Sequence, residues 1–524
     1  MSFWAFYNVV VPILPDPKFN VVYNKRSIIM SIIMFINVAI MPLKAYISEP
    51  FPWERNEPVN FLPTCTVNLT LCSPAAFDYF KNQTQSMSNE QTYTSGDTWD
   101  IYRFSLPQLP LKSENPSNFL LKLPYSVFFT KFQRQQAYKL AREETNWDDF
   151  HSIRVERFFG LINAYSIVWT ESNNTMYFAF VRQTTTKTWL VFKFIYRCCL
   201  SIYIMFIMWQ QYYRYYSHLA NNLRQYGIND AKPTDCITII VGDPTSIVLL
   251  NPYVYLAFIV DIWISVEFVA RALYRLDQLH NAKLCLLACL YLSRMLWMAY
   301  GALILVSYLL KKLHKEKCFH EADPTLTALA VLITTGPLTT LQTHTLIFLD
   351  LYYYLFCSFA KDDNSVDSTL PVVVYSLIIA LLPITSGLLP QCKNRFCLRE
   401  RASTIMLFGS FKMNDFKHRF TNYFSLLTFS EPAAIVDGGS IYQLFAHDRK
   451  FKRNLGMSQR GADCYLLYGF DQRSTSVRLS LLSCVDPNHL ISSRVDENFA
   501  VGRFCLDNGK IRLIHGAHNS PWVA

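Results

Sequence analysis

The sequence predicts a membrane α-helical bundle of about six transmembrane helices, with a small α+β ectodomain loop and a soluble α+β domain at its carboxyl end. Three observations support this prediction. Apolar segments of transmembrane length alternate with polar regions, so that a hydrophobic content of 51% coexists with a mean hydropathy of only +0.13. Basic residues cluster beside particular apolar segments, and every glycosylation sequon lies in the same loop.

The apolar segments account for the predicted bundle, because about twenty residues span the hydrocarbon core of a bilayer. They cover residues 27–47, 188–210, 253–270, 284–310, 325–356 and 370–389. The fifth segment is too long for one untilted helix, and Gly336-Pro337 should kink or break it. If residues 344–359 formed a span of their own, the bundle would have seven helices. Six is preferred, because a seventh would place the basic residues that follow Leu389 outside.

The first apolar segment has two interpretations. It could be a cleaved signal peptide, since Lys25 and Arg26 precede it. However, the polar and aromatic leader is long for a signal peptide, and Pro42, Leu43 and Lys44 make a poor small-residue cleavage site. An uncleaved anchor is therefore preferred.

Charged residues beside the short connections orient the bundle. Basic clusters follow the fourth segment at Lys311 and Lys312, and the sixth at Lys393 and Arg395. Both of these ends are therefore predicted to be cytoplasmic. Alternation then places residues 1–26, 211–252 and 401–524 in the cytoplasm and the loop 48–187 outside, so both termini are cytoplasmic in a plasma membrane or endomembrane protein.

The loop 48–187 carries the features of an external domain. Its three sequons begin at Asn68, Asn82 and Asn173. Cys65 and Cys72 are the cysteines of this loop and could form a disulfide in an oxidising compartment. Two aromatic-rich runs within residues 158–182 predict a β-hairpin, and residues 133–144 predict a short helix.

Several strings resemble a large family of uncharacterised multi-pass membrane proteins of oomycetes (water moulds). The strings are Gly242-Asp-Pro-Thr-Ser246, Leu290-Tyr-Leu-Ser-Arg294, Trp297-Met-Ala-Tyr-Gly301, Asp323-Pro-Thr325, Arg460-Gly-Ala-Asp-Cys464 and His515-Gly-Ala-His-Asn519 before Trp522. The resemblance extends from about residue 242 to the carboxyl end. It implies the multi-pass architecture and no activity, since the family has none assigned.

No sequence pattern predicts catalysis, a cofactor or a metal site. Phosphate loops, metalloprotease helices and nucleophile elbows are missing from the sequence, and Cys392 and Cys397 lack a second pair of zinc ligands. The formal charge of +10 is spread beside the apolar segments, without a nucleic-acid-binding motif. The expected partners are therefore the lipid bilayer and a cytoplasmic protein that binds the carboxyl-terminal domain, and no nucleic acid.

Ionisable residues inside apolar segments are the candidate functional residues, because such groups are costly in lipid and usually face a bundle interior. At about 1.5 Å rise per residue, Asp261 in the third segment and Arg294 in the fourth both fall near the bilayer midplane. The two helices are antiparallel neighbours, so a buried Asp261–Arg294 pair is predicted. A structural staple is preferred over a gate or proton-coupling site.

Other ionisable residues complete the candidate set. Arg197 lies deep in the second segment, whereas Lys193 could snorkel to the outer surface. Glu267 has Arg271 at the i,i+4 spacing, which predicts a local helix pair. His344 and Asp350 could line a cavity if the fifth segment breaks as in transporters, although a single kinked helix is preferred.

Two functional classes remain open. A receptor, sensor or scaffold is preferred, because two soluble regions of more than one hundred residues flank or interrupt the bundle. The alternative is a secondary transporter or channel that uses the midplane charges, with no repeat visible between the two halves of the bundle to support it.

Overall fold

The computed structural model describes most of the chain up to residue 396 and short parts of the remainder. The described residues are 18–54, 57–61, 63, 65, 69–88, 90–106, 116–142, 144–171, 174–227, 232–277, 281–396, 434–437, 449–469, 475–479, 504–507 and 510–513. Within these ranges the fold is mixed, with apolar helices placed between two β-sheets.

The helices fall into a group within the loop 48–187 and a group that forms the bundle. In chain order they are α1 Lys25–Ala39, α2 Leu69–Thr84, α3 Pro116–Lys122, α4 Lys131–Ala141, α5 Lys187–Met208, α6 Arg214–Tyr226, α7 Thr245–Leu249, α8 Pro252–Trp263, α9 Val266–Leu276, α10 Ala282–Leu292, α11 Leu296–Lys312, α12 Pro324–Thr335, α13 Pro337–Thr343, α14 Leu346–Cys357 and α15 Thr369–Phe396. A π-helical turn, Trp209–Tyr213, joins α5 to α6 without a gap.

The loop 48–187 folds around a six-stranded sheet. Its strands are β2 Tyr93–Ser95, β3 Trp99–Ser105, β4 His151–Phe158, β5 Leu161–Glu171, β6 Thr175–Arg182 and β8 Ser365–Asp367, in the spatial order β2-β3-β6-β5-β4-β8. The predicted hairpin corresponds to the antiparallel pair β5–β6. Strand β8 comes from the connection before α15 and pairs parallel to β4, which the sequence analysis did not anticipate.

Both faces of the six-stranded sheet are covered, which explains why its central strands are almost continuously apolar. On one face, α2 presents Cys72, Ala76 and Phe80 at helical spacing to the strands. On the other, α4 and α9 pack over Phe178 and Phe180 of β6. The sheet is therefore a central layer between helices.

A second, five-stranded sheet is built from distant parts of the chain. Its strands are β1 Asn20–Tyr23, β7 Cys236–Ile240, β9 Ala434–Asp437, β10 Cys464–Tyr468 and β11 Thr475–Leu479, in the order β1-β7-β10-β11-β9. The strands β12 Phe504–Asp507 and β13 Lys510–Leu513 form a separate pair. The carboxyl-terminal region, predicted as its own domain over 401–524, thus shares its sheet with the amino-terminal segment and the loop 211–252.

Among the described residues, four helical stretches are long and apolar enough to cross a membrane, or up to six if each of two bent pairs counts as one span. The four are Lys187–Gln225, Ala282–Lys312, Pro324–Thr343 and Thr369–Leu388. The bent pairs are Lys25–Ala39 with Met41–Ile47, at 63°, and Pro252–Trp263 with Val266–Leu276, at 72°. The helix Leu346–Cys357 is shorter than a span.

The third predicted segment, 253–270, is a bent pair of helices rather than one straight helix. Helix α8 ends at Trp263, and α9 leaves it at 72° to lie against the six-stranded sheet. The apolar residues continue through the bend, but Arg271 and Arg275 find their partner on the sheet rather than in the bundle. Polar contacts with the sheet therefore determine the direction of α9.

The fifth predicted segment, 325–356, divides at two places. Gly336 separates α12 from α13, and a Cβ atom there would lie 2.7 Å from Cys289 Sγ, so the close approach of α10 requires glycine. A second interruption at His344-Thr345 separates the span from the short α14. The preferred interpretation included only the first of these, and the second lies where the alternative seventh span, 344–359, would begin.

Each sheet is built from connections between the apolar segments that the sequence analysis assigns to one side of the bundle. The five-stranded sheet takes strands from residues 20–23, 236–240 and the carboxyl-terminal region, which the charge pattern had assigned to one side. The six-stranded sheet takes strands from the sequon-bearing loop, which had been assigned to the other side, and from residues 365–367, which precede the sixth segment and fall on that same side by alternation. Connections that alternation of the apolar segments places on the same side of the bundle therefore also share a β-sheet.

Candidate functional site

A charge cluster lies at the centre of the helical bundle. Its members are Glu49, Lys193, Arg197, Asp261, Glu267 and Arg294. The three carboxylates and three cations balance in formal charge. Four of these side chains are at most 1% exposed: Glu49, Lys193, Arg197 and Asp261. Their charges are therefore neutralised by one another and not by water.

Glu49 accepts the largest number of hydrogen bonds in the charge cluster. Its Oε1 accepts from Arg197 Nη2 at 2.8 Å, from the Tyr291 hydroxyl at 2.8 Å and from Arg294 Nη1 at 3.2 Å. Lys193 Nζ donates to Oε2 at 3.2 Å. Glu49 follows the short helix Met41–Ile47, so the bend of the first apolar segment carries this carboxylate into the bundle.

Asp261 and Arg294 form the ion pair that the sequence analysis predicted. Arg197 also binds Asp261, with Nε donating to Oδ1 at 2.8 Å. Asp261 therefore bridges two guanidinium groups, and both guanidinium groups also reach Glu49. The arrangement is a closed ring of alternating charges rather than an isolated pair.

The break between α8 and α9 supplies a further acceptor to the charge cluster. Ser265 Oγ, which is fully buried at this break, accepts from Arg197 Nη2 at 3.1 Å and from Lys193 Nζ at 3.3 Å. Lys193 therefore points into the bundle and does not snorkel outward. Aromatic rings cover the cations, with Arg197 4.9 Å from the Tyr46 ring centroid and Lys193 4.7 Å from that of Phe268.

Helix α9 connects the charge cluster to the six-stranded sheet. Near its first turn, Glu267 Oε1 lies 3.5 Å from Lys193 Nζ. One turn later, Arg271 binds Asp100 of β3 with both Nε and Nη2, each at 2.7 Å. Arg275 binds the same carboxylate twice, at 3.0 Å. The predicted Glu267–Arg271 pair is thus replaced by contacts of each residue with a different partner.

The carboxylate of Asp100 is fully buried between the sheet and α9. Burial alone would raise its pKa, but the guanidinium groups of Arg271 and Arg275 outweigh this effect and hold the pKa well below its usual range. Asp100 is therefore ionised at any physiological pH. Two bidentate contacts to one carboxylate also fix the orientation of the helix.

Tyr274 of α9 makes the second connection to the sheet. Its hydroxyl hydrogen bonds to Glu156 and to Arg154, both on β4. The Tyr274 backbone carbonyl accepts from the Tyr125 hydroxyl at 2.7 Å. Asp100 lies on β3 and Glu156 on β4, so α9 makes hydrogen bonds to strands on both sides of the central pair β6–β5.

His344 and Asp350 do not join the charge cluster. Asp350 pairs with Arg134 of α4 at 3.2 Å and is 69% exposed. His344 lines a small cavity of about 30 Å³ together with Asp277, Leu121 and residues 123–128. The interruption at His344-Thr345 therefore places these two residues against the six-stranded domain instead of in a transport pathway through the bundle.

The structure describes the predicted disulfide and one of the three sequons of the loop 48–187. Cys65 and Cys72 are joined by a disulfide. Asn82 is exposed on α2, whereas Asn68 and Asn173 lie outside the described residues. Within the described part of the chain, no group of three or more His, Cys, Asp or Glu side chains is arranged to hold a metal ion.

Comparison with protein-family models, curated proteins and solved structures gives no match for this chain. The resemblance to the oomycete membrane-protein family therefore stays a prediction.

Proposed function

We propose that the chain is an integral multi-pass membrane protein whose apolar helices span a lipid bilayer. The distribution of polarity supports this proposal. Large apolar side chains face outward on the candidate spans, including Ile33 on α1, Phe206 on α5, Leu286 on α10 and Leu381 on α15. The charged side chains of Lys193, Arg197 and Asp261, which lie within these spans, face inward. This pattern is costly in water and typical of proteins in lipid.

We further propose that the six-stranded sheet is external and the five-stranded sheet cytoplasmic, in the plasma membrane or the endomembrane system. The lysines and arginines that follow the fourth and sixth segments support this orientation. The sequons of the loop 48–187 support it independently, since glycan transfer occurs on the non-cytoplasmic side.

Glycosylation of Asn82 tests the orientation. Because Asn82 is exposed on a helix of the six-stranded domain, Asn82→Gln should remove one endoglycosidase-sensitive glycan when the protein is made in a eukaryotic cell. The matched control is Ala231→Thr, which creates a sequon at Asn229 in the loop 211–252. That site should stay unmodified, and a glycan on Asn229 would reverse the proposed orientation.

Within this architecture we propose a receptor or sensor whose external domain acts on the bundle through α9. One observation carries the proposal: this single helix contacts the charge cluster through Glu267 and the external sheet through Arg271, Tyr274 and Arg275. A shift of the six-stranded sheet would move α9 and change the distance between Glu267 and Lys193. Such a linked element provides a contiguous physical route by which the two sites can be coupled.

Flux measurements distinguish this proposal from the alternative, a secondary transporter or channel. In the receptor, the charges of the cluster form ion pairs with one another and provide no path for ions. Vesicles that contain the protein should therefore pass protons, sodium, potassium and chloride no faster than empty vesicles. In a transporter, the wild type would carry a flux that Asp261→Asn abolishes. A flux of this kind, retained by the surface control Asp148→Asn, would overturn the receptor proposal.

A further inference from the structure

A basic surface, formed by residues 311–323 and 449–453, lies at the end of the bundle where α11 connects to α12. The first stretch carries four lysines, and the second carries two arginines and two lysines. These eight cations are opposed by three carboxylates, which leaves a formal charge of +5 with the histidines neutral. Both connected helices belong to candidate spans, so the basic surface lies at one face of the proposed bilayer.

The segment 449–453 is held beside α11 by contacts at two levels of the helix. Lys311 Nζ donates to the Lys450 carbonyl at 2.6 Å, and the Leu455 backbone N–H donates to Ser307 Oγ at 2.9 Å. Arg453 therefore lies between the levels of Ser307 and Lys311, a stretch of about 6 Å at 1.5 Å per residue. Since this is the last turn of a candidate span, the segment lies at the level of the lipid head groups in the proposed bilayer.

The two stretches of the basic surface are also joined to each other. The Ala322 backbone N–H donates to the Gly456 carbonyl at 2.9 Å, and the Ser458 backbone N–H donates to the Ala322 carbonyl at 3.0 Å. Arg449 Nη1 donates to the Phe319 carbonyl at 3.1 Å. Basic residues from parts of the chain more than one hundred positions apart therefore form one surface.

The carboxylates of the basic surface have roles within the fold. Glu316 is buried, Glu321 pairs with Lys452, and Asp323 Oδ1 accepts from the first backbone N–H groups of α12. The exposed side chains include three of the cations: Lys312, Lys315 and Arg453. The charge that this surface presents to its surroundings is therefore positive, and a ligand for it should be an anion.

The outward side of α11 leads directly to the exposed lysines. Leu305, Tyr308 and Leu309 are all exposed on this helix. Lys312 follows Tyr308 by four residues and Leu309 by three, so it shares their face. An apolar stripe that ends in cations matches an anionic phospholipid, whose acyl chains and head group follow each other in the same order. A soluble acidic protein would match only the cations.

We propose that the basic surface binds the head group of an anionic phospholipid in the cytoplasmic leaflet. The head group accepts from Lys312, Lys315 and Arg453, and the acyl chains lie along the outward side of α11. This inference rests on the proposed span and orientation. It adds a lipid ligand that neither the receptor proposal nor the transporter alternative requires.

Photolabelling of the full chain in phosphatidylcholine nanodiscs tests the site. The probe is phosphatidylserine or, for comparison, phosphatidylcholine, each with a diazirine in an acyl chain, and labelled peptides are mapped by mass spectrometry. Residues 303–323 should take up about tenfold more phosphatidylserine than phosphatidylcholine, because each nearby Lys or Arg strengthens the attraction to anionic lipid. High salt should weaken this preference by screening. Equal labelling by the two probes would overturn the proposal.

Two variants matched in charge localise the preference. The test variant removes three exposed cations of the basic surface: Lys312→Gln, Lys315→Gln and Arg453→Gln. The control removes three exposed cations of the six-stranded domain: Lys81→Gln, Lys139→Gln and Arg142→Gln. The test variant should lose the preference for phosphatidylserine about tenfold, and the control should keep it. Loss in both variants or in neither would contradict binding at this surface. If the test variant does not fold, the salt dependence of the wild-type preference decides.

Two further outcomes separate this inference from the other proposals. If poly-glutamate at the same charge concentration removed the preference for phosphatidylserine, the surface would suit a soluble acidic protein, and the lipid proposal would be overturned. If the chain did not stay with the nanodiscs at all, the proposed span would be refuted, and this inference with it. Retention of the chain together with equal labelling by the two probes would refute the lipid site alone.

Discussion

Replacing Glu49 with glutamine should lower the free energy of unfolding by about 3–5 kcal/mol, the range measured when one partner of a buried ion pair is removed. Glu49 receives hydrogen bonds from Lys193, Arg197 and Arg294. Without its charge, three buried cations share the two remaining carboxylates. The expected result is a large loss of monodisperse protein on heating in detergent, measured by size-exclusion chromatography.

Three further variants separate this charge effect from a packing effect. Glu57→Gln makes the same substitution at an exposed position of the same loop and should behave like the wild type. Glu49→Asp keeps the charge and should lose less stability than Glu49→Gln. Adding Arg197→Gln to Glu49→Gln restores charge balance and should recover part of the loss. No recovery in the double variant would contradict the role assigned to charge balance.

Replacing Asp100 with asparagine should detach α9 from the six-stranded sheet. The substitution keeps the shape of the side chain and removes the charge that holds Arg271 and Arg275, leaving both guanidinium groups largely buried. A loss of about 2–5 kcal/mol is expected for a buried charge that loses its partner. Thermal unfolding followed by tryptophan fluorescence measures it, with Asp148→Asn at an exposed site as the matched control.

The pH dependence of this loss follows from the lowered pKa of Asp100. A carboxyl whose pKa is lower in the folded state stabilises the fold above its unfolded pKa of about 3.9. That contribution is lost as the pH falls from about 3.9 through the lower folded pKa. The stability difference between wild type and Asp100→Asn should therefore be constant from about pH 8 to 5 and narrow only below about pH 4. A difference that already narrows near pH 6 would contradict the Asp100–arginine contact.

The Asp261–Arg294 pair could be predicted from the sequence, because depth in a membrane follows from residue count in a regular helix. Glu49 could not be placed in the same way. It follows the first apolar segment, and only the 63° bend brings it inward. Charge balance could have indicated that a further carboxylate enters the bundle, because Asp261 alone cannot neutralise Lys193, Arg197 and Arg294.

The direction of α9 and the composition of the two sheets could not be predicted for a different reason. Hydropathy continues from Ile262 through Val266 to Ala270, so periodicity gives no sign that the helix bends. Strands β1 and β8 have four and three residues and pair with strands more than two hundred positions away. Such short strands form only where tertiary structure supplies a partner.

We propose that α9 couples the six-stranded sheet to the bundle. The coupling would continue to the five-stranded sheet through the apolar core that α5 and α11 share with β7 and β10. Hydrogen–deuterium exchange of Asp100→Asn, Asp148→Asn and wild type in nanodiscs tests this claim directly. We expect faster amide exchange in Asp100→Asn not only in residues 266–276 but also in the strands Cys236–Ile240 and Cys464–Tyr468, with no change in Asp148→Asn. Faster exchange confined to α9 and residues 93–182 would contradict the coupling.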